Sequence, residues 1–168
     1  MQAMDRAEVI QWRKAERQRL IAERLAIRDI RRRHADQIAV SLEEVVGKVQ
    51  GVFVSAYWPF RGEPDLRGFM ARVLDRGGRC ALPVVRERGK PLVFRPWGPG
   101  EPLVKGVWNI PVPANTEEMV PDVVIAPVVG FDRACYRLGY GGGFFDLTLA
   151  TMKKRHSSWG WVVDSKRF

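Results

Sequence analysis

The segment "RLGYGGGFFD", Arg137–Asp146, brings backbone amides, an arginine and a carboxylate together in one short stretch. Its four glycines are Gly139, Gly141, Gly142 and Gly143. A glycine loop between a predicted strand and a predicted helix can bind phosphate oxygens through free N–H groups, and Arg137 would add a fixed charge. No Lys-Ser/Thr pair follows the glycines, and the gap of a dinucleotide fingerprint is missing. The pattern predicts a phosphate loop of another kind, or else a tight turn packed against a helix.

Three other side chains could take part in chemistry, and each has a structural alternative. Asp146, in the first turn of the predicted helix, could hold Mg²⁺ against phosphates or could simply complement the helix dipole. Glu63, at the mouth of a predicted strand, could contact a substrate or could cap the helix that follows. Trp108, in "VWNIPVP", could stack on a flat heterocycle or could belong to the core. Local pattern leaves these alternatives open.

Covalent catalysis by the protein has little support in the sequence. His34 and His156 have no Ser or Cys nucleophile paired with them, and nothing resembles a Ser/His/Asp arrangement. Cys80 and Cys135 lie far apart and lack metal-ligand spacing, which is typical of buried small apolar residues in a reducing cytoplasm. The sequence thus favours chemistry that depends on positioning and charge.

The charge of the chain predicts an anionic partner. The net charge is +9 over 168 residues, and the first 33 residues hold ten Lys/Arg against five Asp/Glu. A basic leading helix could serve nucleic acid, a nucleoside triphosphate or a polycarboxylate, so charge alone does not choose. No apolar run approaches the roughly 20 residues of a membrane span, and no secretory signal is visible. We therefore expect a cytoplasmic protein without a membrane partner.

Short apolar runs alternate with helical patterns, which indicates an α/β domain with a largely parallel central sheet flanked by helices. We expect a basic N-terminal helix from about Arg6 to Ile30, with an apolar face that includes Trp12 and Leu20, and a break around Arg33 and His34. The predicted helices that follow are 35–49, a helix led by Pro64, and 144–155. The predicted strands are 52–57, 79–85, 91–97, 123–132 and 157–164, and the Pro-rich stretch 91–121 is predicted to be an excursion of the same domain.

Ligands in such sheets bind beyond the carboxyl ends of the strands. The segments "YWPFRGE" and "PVVGFDRACYRLGYGGG" each follow a predicted strand. We therefore expect the glycine loop and Glu63 to share one cleft.

Taken together, "YWPFRGEPDL", "VWNIPVP" and "RLGYGGGFFD" resemble, in this order and at these separations, the 5-formyltetrahydrofolate cyclo-ligase family, also called methenyltetrahydrofolate synthetase. The most specific element is the run 131–146, which follows the family pattern R-L-G-x-G-x-G-[FY]-[FY]-D. The resemblance implies an ATP-dependent, Mg²⁺-requiring ligase that converts 5-formyltetrahydrofolate to 5,10-methenyltetrahydrofolate and releases ADP and phosphate. Such chemistry asks for positioning and charge stabilisation, so the lack of a triad is expected.

The resemblance also assigns roles residue by residue. It implies catalytic roles for Arg137 and Asp146, with Asp146 binding Mg²⁺, and folate contacts for Tyr57, Glu63 and Trp108. The residues implied in ATP binding are Arg13, Arg17, Arg137, Leu138, Gly139, Tyr140, Gly141, Gly142, Gly143 and Phe144. The implied partners are the two small molecules, 5-formyltetrahydrofolate and MgATP, and the expected state is a monomer.

The sequence departs from the family in three places. Val9 stands where the family has a lysine four residues before Arg13, so Lys14 or Arg17 would have to substitute. Phe144 and Phe145 replace commoner tyrosines. The chain ends at Phe168, before the last strands of the family, so we expect one cyclo-ligase-like domain over 1–168 with a shortened C-terminus. The alternatives are a relative with the same fold and another or lost activity, and a nucleic-acid-binding module that uses the basic helix.

Overall fold

The computed structural model of the protein describes residues 5–153 and 160–163. Its helices are α1 (Arg6–Ala26), α2 (Arg31–Val46), α3 (Arg67–Asp75) and α4 (Phe144–Lys153). Its strands are β1 (Phe53–Ser55), β2 (Arg79–Val84), β3 (Val93–Pro96), β4 (Leu103–Lys105), β5 (Pro111–Pro113), β6 (Val123–Ala126), β7 (Gly130–Phe131), β8 (Arg137–Leu138) and β9 (Gly160–Val163). None of the helices within the described residues is long and apolar enough to cross a membrane.

The central sheet has the strand order β3-β2-β1-β6-β9. β2, β1, β6 and β9 run parallel to one another, and β3, at one edge of the sheet, runs antiparallel to β2. The predicted α/β fold with a largely parallel sheet is therefore confirmed. Because the carboxyl ends of β2, β1 and β6 meet at one edge, the segments that follow them can build a common cleft.

Two layers of helices cover the sheet, and the strand residues alternate between them. Val54, Leu82 and Ile125 point into the layer formed by α2 and α3, where Phe69 is one of the largest fully buried side chains. Ala81, Phe94 and Val124 point to the other layer, against Phe144, Phe145, Leu149 and Met152 of α4. This period of two is the pattern expected of strands buried on both faces.

The first helix differs from the prediction in its length and its burial. An Asp5–Glu8 capping box begins α1, with both hydrogen bonds at 2.8 Å. The chain leaves the helix at Ile27, so the predicted break around Arg33 and His34 was wrong, and α2 already begins at Arg31. Arg31 explains the earlier break, because its guanidinium reaches back to the last carbonyls of α1, those of Arg24 and Leu25, at 3.4 and 3.3 Å.

The apolar face predicted for this helix is not buried. No residue between 6 and 26 is buried, and Trp12 is 53% exposed. Leu20 packs close to the backbone of β7, because a Cβ built on Gly130 would lie 2.6 Å from its Cδ1 atom. α1 therefore rests on the domain through a glycine contact and through its arginines.

Two smaller differences concern the loops that form the cleft. α3 begins at Arg67, three residues after Pro64, so the prediction that Pro64 leads the helix was wrong. The Pro-rich stretch is an excursion, as predicted, but it contains an antiparallel hairpin of β4 and β5 that its sequence pattern did not reveal. Proline-containing strands show little periodicity, since Pro111 and Pro113 occupy two of the three positions of β5.

Candidate active site

A cleft of about 990 Å³ opens at the carboxyl ends of the parallel strands. Every site residue that the sequence predicted lines this cleft: Arg13, Arg17, Tyr57, Glu63, Trp108, Arg137, Leu138, Gly139, Tyr140, Gly141, Gly142, Gly143, Phe144 and Asp146. The structure thus brings together side chains that lie up to 133 positions apart in the sequence. Their individual roles stay predictions.

The glycine loop connects a short β ladder to the start of α4. β8 pairs with β7, and the backbone then passes Gly141 and Gly143 at φ +95° and +68°, a region that favours glycine. A Cβ on Gly142 would lie 2.8 Å from the ring of Phe144, whereas one on Gly139 would meet nothing within 4 Å. The Gly143 carbonyl accepts a hydrogen bond from Leu147 N–H, in the first turn of α4, at 3.0 Å. The loop therefore aims the N-terminus of α4 at the cleft.

Arginines of α1 border this loop on the other side. Arg17 Nε donates to the carbonyl of Gly139 at 2.7 Å, and its Cζ atom lies 3.4 Å from the position of a Cβ on Gly141. Arg13 lies one helical turn earlier and also lines the cleft. Lys14 is exposed and does not line it, so of the two predicted substitutes for the missing lysine only Arg17 is in place. Positive charge is thus concentrated beside the loop.

Arg137 and Asp146 form an ion pair across the loop. The Arg137 side chain is only 12% exposed, and its guanidinium lies 5.8 Å from the ring centroid of Phe145. The Asp146 side chain is 77% exposed and faces the cleft. Asp146 therefore pairs with Arg137 in addition to lying in the first turn of α4, and its metal role stays a prediction.

Glu63 is a buried carboxylate with specific hydrogen bonds. It is 4% exposed, and its Oε2 atom accepts from Phe60 N–H at 2.8 Å while Oε1 accepts from the Tyr140 hydroxyl at 2.8 Å. Burial, followed by the nearby Glu63 charge, raises the pKa of Tyr140. The helix-capping alternative for Glu63 was wrong, because α3 has Leu66 at its N-cap and no side-chain cap bond.

Trp108 also lines the cleft, at the turn between β4 and β5. Trp108 and Asn109 have φ of +53° and +60°, a strained conformation for residues other than glycine. The indole is 59% exposed and meets the Phe144 ring edge to face, with centroids 5.7 Å apart. The core alternative for Trp108 was therefore wrong. Tyr57, in contrast, is 2% exposed and belongs to the core while lining the cleft.

Sequence reasoning missed Arg24, whose guanidinium donates to the Tyr140 hydroxyl, and Arg61, which lines the cleft. A usable signal for Arg24 was its position seven residues after Arg17, on the same face of α1. His34 lines a separate cavity of about 50 Å³, and His156 lies outside the described residues.

The donor set of the cleft fits a magnesium ion that arrives with its phosphates. Among residues 5–153 and 160–163, no group of three or more His, Cys, Asp or Glu side chains could hold a metal by itself. Mg²⁺ retains several waters and is commonly bound through one or two carboxylates together with substrate phosphates. The exposed Asp146 beside the glycine loop fits that requirement.

Comparison with solved structures supports the fold. The NMR structure of Aquifex aeolicus 5,10-methenyltetrahydrofolate synthetase superposes with a TM-score of 0.70 at 26% identity, covering 90% of this chain and 76% of that one. A 5,10-methenyltetrahydrofolate synthetase from Mycoplasma pneumoniae gives a TM-score of 0.64 at 20% identity, over 86% of this chain and 80% of that one. At that identity the second likeness concerns the fold alone.

Comparison of sequences identifies the family. A 5-formyltetrahydrofolate cyclo-ligase from Mycolicibacterium smegmatis is 36% identical over 111 residues, and one from Escherichia coli K12 is 34% identical over 102 residues. These matches cover 61% and 57% of this chain, and they span 57% and 56% of the relatives' length. The family model described as 5-formyltetrahydrofolate cyclo-ligase family matches residues 9–162. The chain therefore belongs to the 5-formyltetrahydrofolate cyclo-ligase family.

Proposed function

We propose that the protein catalyses the ATP-dependent cyclisation of 5-formyltetrahydrofolate to 5,10-methenyltetrahydrofolate, with release of ADP and phosphate. The observation that carries this proposal is that the glycine loop and the buried Glu63 carboxylate line one cleft. A phosphate loop alone would fit many nucleotide enzymes. The cleft also offers a carboxylate and an exposed indole, which match the hydrogen-bond donors and the flat ring of a pterin.

The proposed reaction balances without a protein nucleophile. The formyl oxygen of the folate attacks the γ-phosphorus of ATP, and ADP leaves. N10 then attacks the activated formyl carbon and gives up its proton to solvent, and the C–O bond breaks to release phosphate and leave the cationic methenyl bridge. The protein contributes positioning and stabilisation of the transferred charge, which is how phosphoryl transfer is generally catalysed.

The nucleotide side of the cleft would bind ATP through the loop and the arginines around it. The amides of the glycine loop and the N-terminus of α4 would hold phosphate oxygens, with Arg137 and Arg17 adding charge. Arg13 would contact the nucleotide from α1. Asp146 would hold Mg²⁺, which would supply charge neutralisation at the phosphates.

The folate would contact a second group of residues in the same cleft. Glu63 would accept hydrogen bonds from the amino and ring N–H groups of the pterin, and Trp108 would pack against a ring. Tyr57 would contribute from the end of β1. We further propose that the enzyme acts as a cytoplasmic monomer on these two small molecules.

The test mixes the protein with MgATP and 5-formyltetrahydrofolate and follows the methenyl product by its near-ultraviolet absorbance, with ADP measured in parallel. Product and ADP should form in equal amounts. The matched control is 5-methyltetrahydrofolate, which has no formyl oxygen and should consume no ATP. A folded protein that forms neither product nor ADP would refute the proposal and favour a relative with another or lost activity.

A further inference from the structure

The hydroxyl of Tyr140 joins the glycine loop to the proposed folate site. Tyr140 lies between Gly139 and Gly141, and its hydroxyl donates to Glu63 Oε1 at 2.8 Å. The two residues are 77 positions apart in the sequence. The middle of the glycine loop is therefore in direct contact with the Glu63 carboxylate.

Arg24, on α1, also forms a hydrogen bond with this hydroxyl. One Nη atom of Arg24 donates to the Tyr140 hydroxyl, the other donates to the Val128 carbonyl at 3.0 Å, and Nε donates to the Arg61 carbonyl at 3.0 Å. A single guanidinium thus fixes the glycine loop, the segment after β6 and the segment before Glu63. Because its planar donors have a fixed geometry, the position of the Tyr140 hydroxyl is well defined.

The Tyr140 hydroxyl donates to Glu63 because its other partner can only donate. A guanidinium has no acceptor, so the hydroxyl accepts from Arg24 and gives its own proton to a Glu63 oxygen. Burial raises the pKa of Tyr140, which keeps this donor neutral in ordinary buffers. The hydrogen bonds are therefore donated in one direction, from Arg24 to Tyr140 and from Tyr140 to Glu63.

The loop does not need this hydroxyl for its own shape. Arg17 holds the Gly139 carbonyl, and the positive φ of Gly141 and Gly143 sets the turn. The Tyr140 ring also packs on its own, 5.9 Å from the Phe60 centroid. Removal of the hydroxyl alone should therefore leave the loop in place.

We propose that Tyr140 is a positioning residue that orients the Glu63 carboxylate for the folate and connects occupancy of the phosphate loop to folate binding. The inference rests on the proposed function. Tyr140 is part of the loop, and its hydroxyl contacts Glu63. Phosphates that fix the conformation of the loop would therefore also fix the orientation of the Glu63 carboxylate. By linkage, each substrate should tighten the binding of the other by the same factor.

The experiment compares Tyr140→Phe with Tyr136→Phe. Tyr136 is 76% exposed on the turn between β7 and β8, so its variant loses a hydroxyl at nearly the same place without touching Glu63. For Tyr140→Phe we expect the KM for 5-formyltetrahydrofolate to rise about tenfold, the effect of losing a hydrogen bond to a charged group. The dissociation constant of MgATP, measured without folate, should change less than about twofold, because Arg17 and the glycines keep the loop. Tyr136→Phe should match the wild type.

Two further measurements separate positioning from simple structural support. In a cycle with Glu63→Gln, Tyr140→Phe should add less than about a twofold effect on folate affinity, because its partner is already altered. The dissociation constant of 5-formyltetrahydrofolate, measured with and without a non-hydrolysable ATP analogue and Mg²⁺, should show tightening in the wild type and none in Tyr140→Phe. Circular dichroism verifies the fold, and Arg24→Lys, which leaves Tyr140 and Glu63 intact, should raise the same folate KM.

The outcomes are distinct. A wild-type protein without cyclising activity would overturn the proposed function and this inference with it. An active wild type would overturn this inference alone if Tyr140→Phe kept a normal folate KM, or if the variant lost as much affinity for MgATP in the absence of folate as it lost for the folate. Full additivity with Glu63→Gln would do the same. If Tyr140→Phe does not fold, an unchanged folate KM in Arg24→Lys would reject the chain of contacts.

Discussion

At the scale of single residues, the ion pair of Arg137 and Asp146 lies where the proposed function places the exchange of charge during binding. A largely buried arginine pairs with an exposed carboxylate, so Asp146 has a cationic partner in this structure. The pair keeps Arg137 in position beside the loop. It also means that a bound Mg²⁺ would compete with a guanidinium for the same oxygen atoms.

Replacement of Asp146 by Asn should therefore affect the metal-dependent step and little else. The side chain is exposed, so stability should change by less than about 0.5 kcal/mol. Activity at limiting Mg²⁺ should fall roughly tenfold or more, because an amide is a much weaker ligand than a carboxylate. The check is the initial rate as a function of free Mg²⁺, with the dissociation constant of 5-formyltetrahydrofolate as control. A normal Mg²⁺ curve would remove Asp146 from the metal site.

Gly139 offers a test of whether a ligand occupies the loop. A Cβ there would meet no atom of the protein within 4 Å, and its φ is not positive. Gly139→Ala should therefore keep the melting temperature while raising the KM for MgATP severalfold, since only a bound phosphate would meet the methyl group. Gly143→Ala, at φ +68°, should instead lose about 1 kcal/mol of stability. An unchanged KM for MgATP in Gly139→Ala would place the phosphates elsewhere.

At the scale of elements, the sequence predicted what local pattern controls. The segments that form β1, β2 and β6 are short and apolar, and the clustered glycines mark the loop before α4. These elements and the shared cleft could therefore be predicted from composition and order along the chain. The break between α1 and α2 at Ile27 was not predicted, because it involves a hydrogen bond from Arg31 back to the end of α1. Arg24 was missed for a similar reason, since its partner lies 116 positions away.

The packing of α1 against β7, through Leu20 and Gly130, is a contact between elements that can be tested. A Cβ on Gly130 would clash with Leu20 Cδ1 at 2.6 Å, so Gly130→Ala should push α1 outward, cost roughly 1–2 kcal/mol, and weaken MgATP binding through Arg13 and Arg17. Leu20→Ala in the same protein should restore much of the MgATP affinity. The measurements are urea unfolding and the KM for MgATP.

Gly68 supplies the matched control for this prediction. It lies within α3, and a Cβ there would make only an ordinary contact, 3.7 Å from Arg72 Nη1. Gly68→Ala should stabilise the protein by about 0.5–1 kcal/mol and leave the KM for MgATP unchanged. If Gly130→Ala behaved in the same way, α1 would not be seated on Gly130.

At the scale of the whole molecule, the net charge of +9 acts together with its concentration at the cleft. The prediction of one domain over 1–168 stays a prediction, while residues 5–153 and 160–163 contain one five-stranded sheet with two core clusters. The basic character of α1 has a local purpose in this arrangement. Arg13 and Arg17 project into the cleft, where an anionic nucleotide would gain from them.

Salt should therefore weaken MgATP binding, and the local arginines should dominate the effect. The KM for MgATP should rise severalfold between low salt and about 0.3 M NaCl, because exposed charges are screened over roughly 10 Å or less. Arg13→Gln and Arg33→Gln remove the same charge, but only Arg13 lines the cleft. Arg13→Gln should flatten the salt dependence while Arg33→Gln should not. Equal effects of the two variants would assign the dependence to net charge.

Alkaline stability should report on Cys80, which lies in the main core at 2% exposure and donates its thiol to the Met70 carbonyl at 3.5 Å. Burial raises the pKa of this thiol to about 12. The folded state thus binds the proton more tightly than the unfolded state, whose thiol titrates near pH 8.5. The contribution to stability is complete below that value and is lost as the pH rises toward 12, at up to about 1.4 kcal/mol per pH unit.

Urea unfolding between pH 7 and 9.5 tests this prediction below the range in which tyrosines ionise in the unfolded chain. The free energy of unfolding should fall more steeply above pH 8.5 for the wild type than for Cys80→Ala, although the variant is less stable at pH 7 because it leaves a small cavity. Cys135→Ala is the control, because Cys135 is exposed and its replacement should keep the wild-type slope. Parallel slopes for wild type and Cys80→Ala would show that the thiol ionises as easily in the folded core as in the unfolded chain.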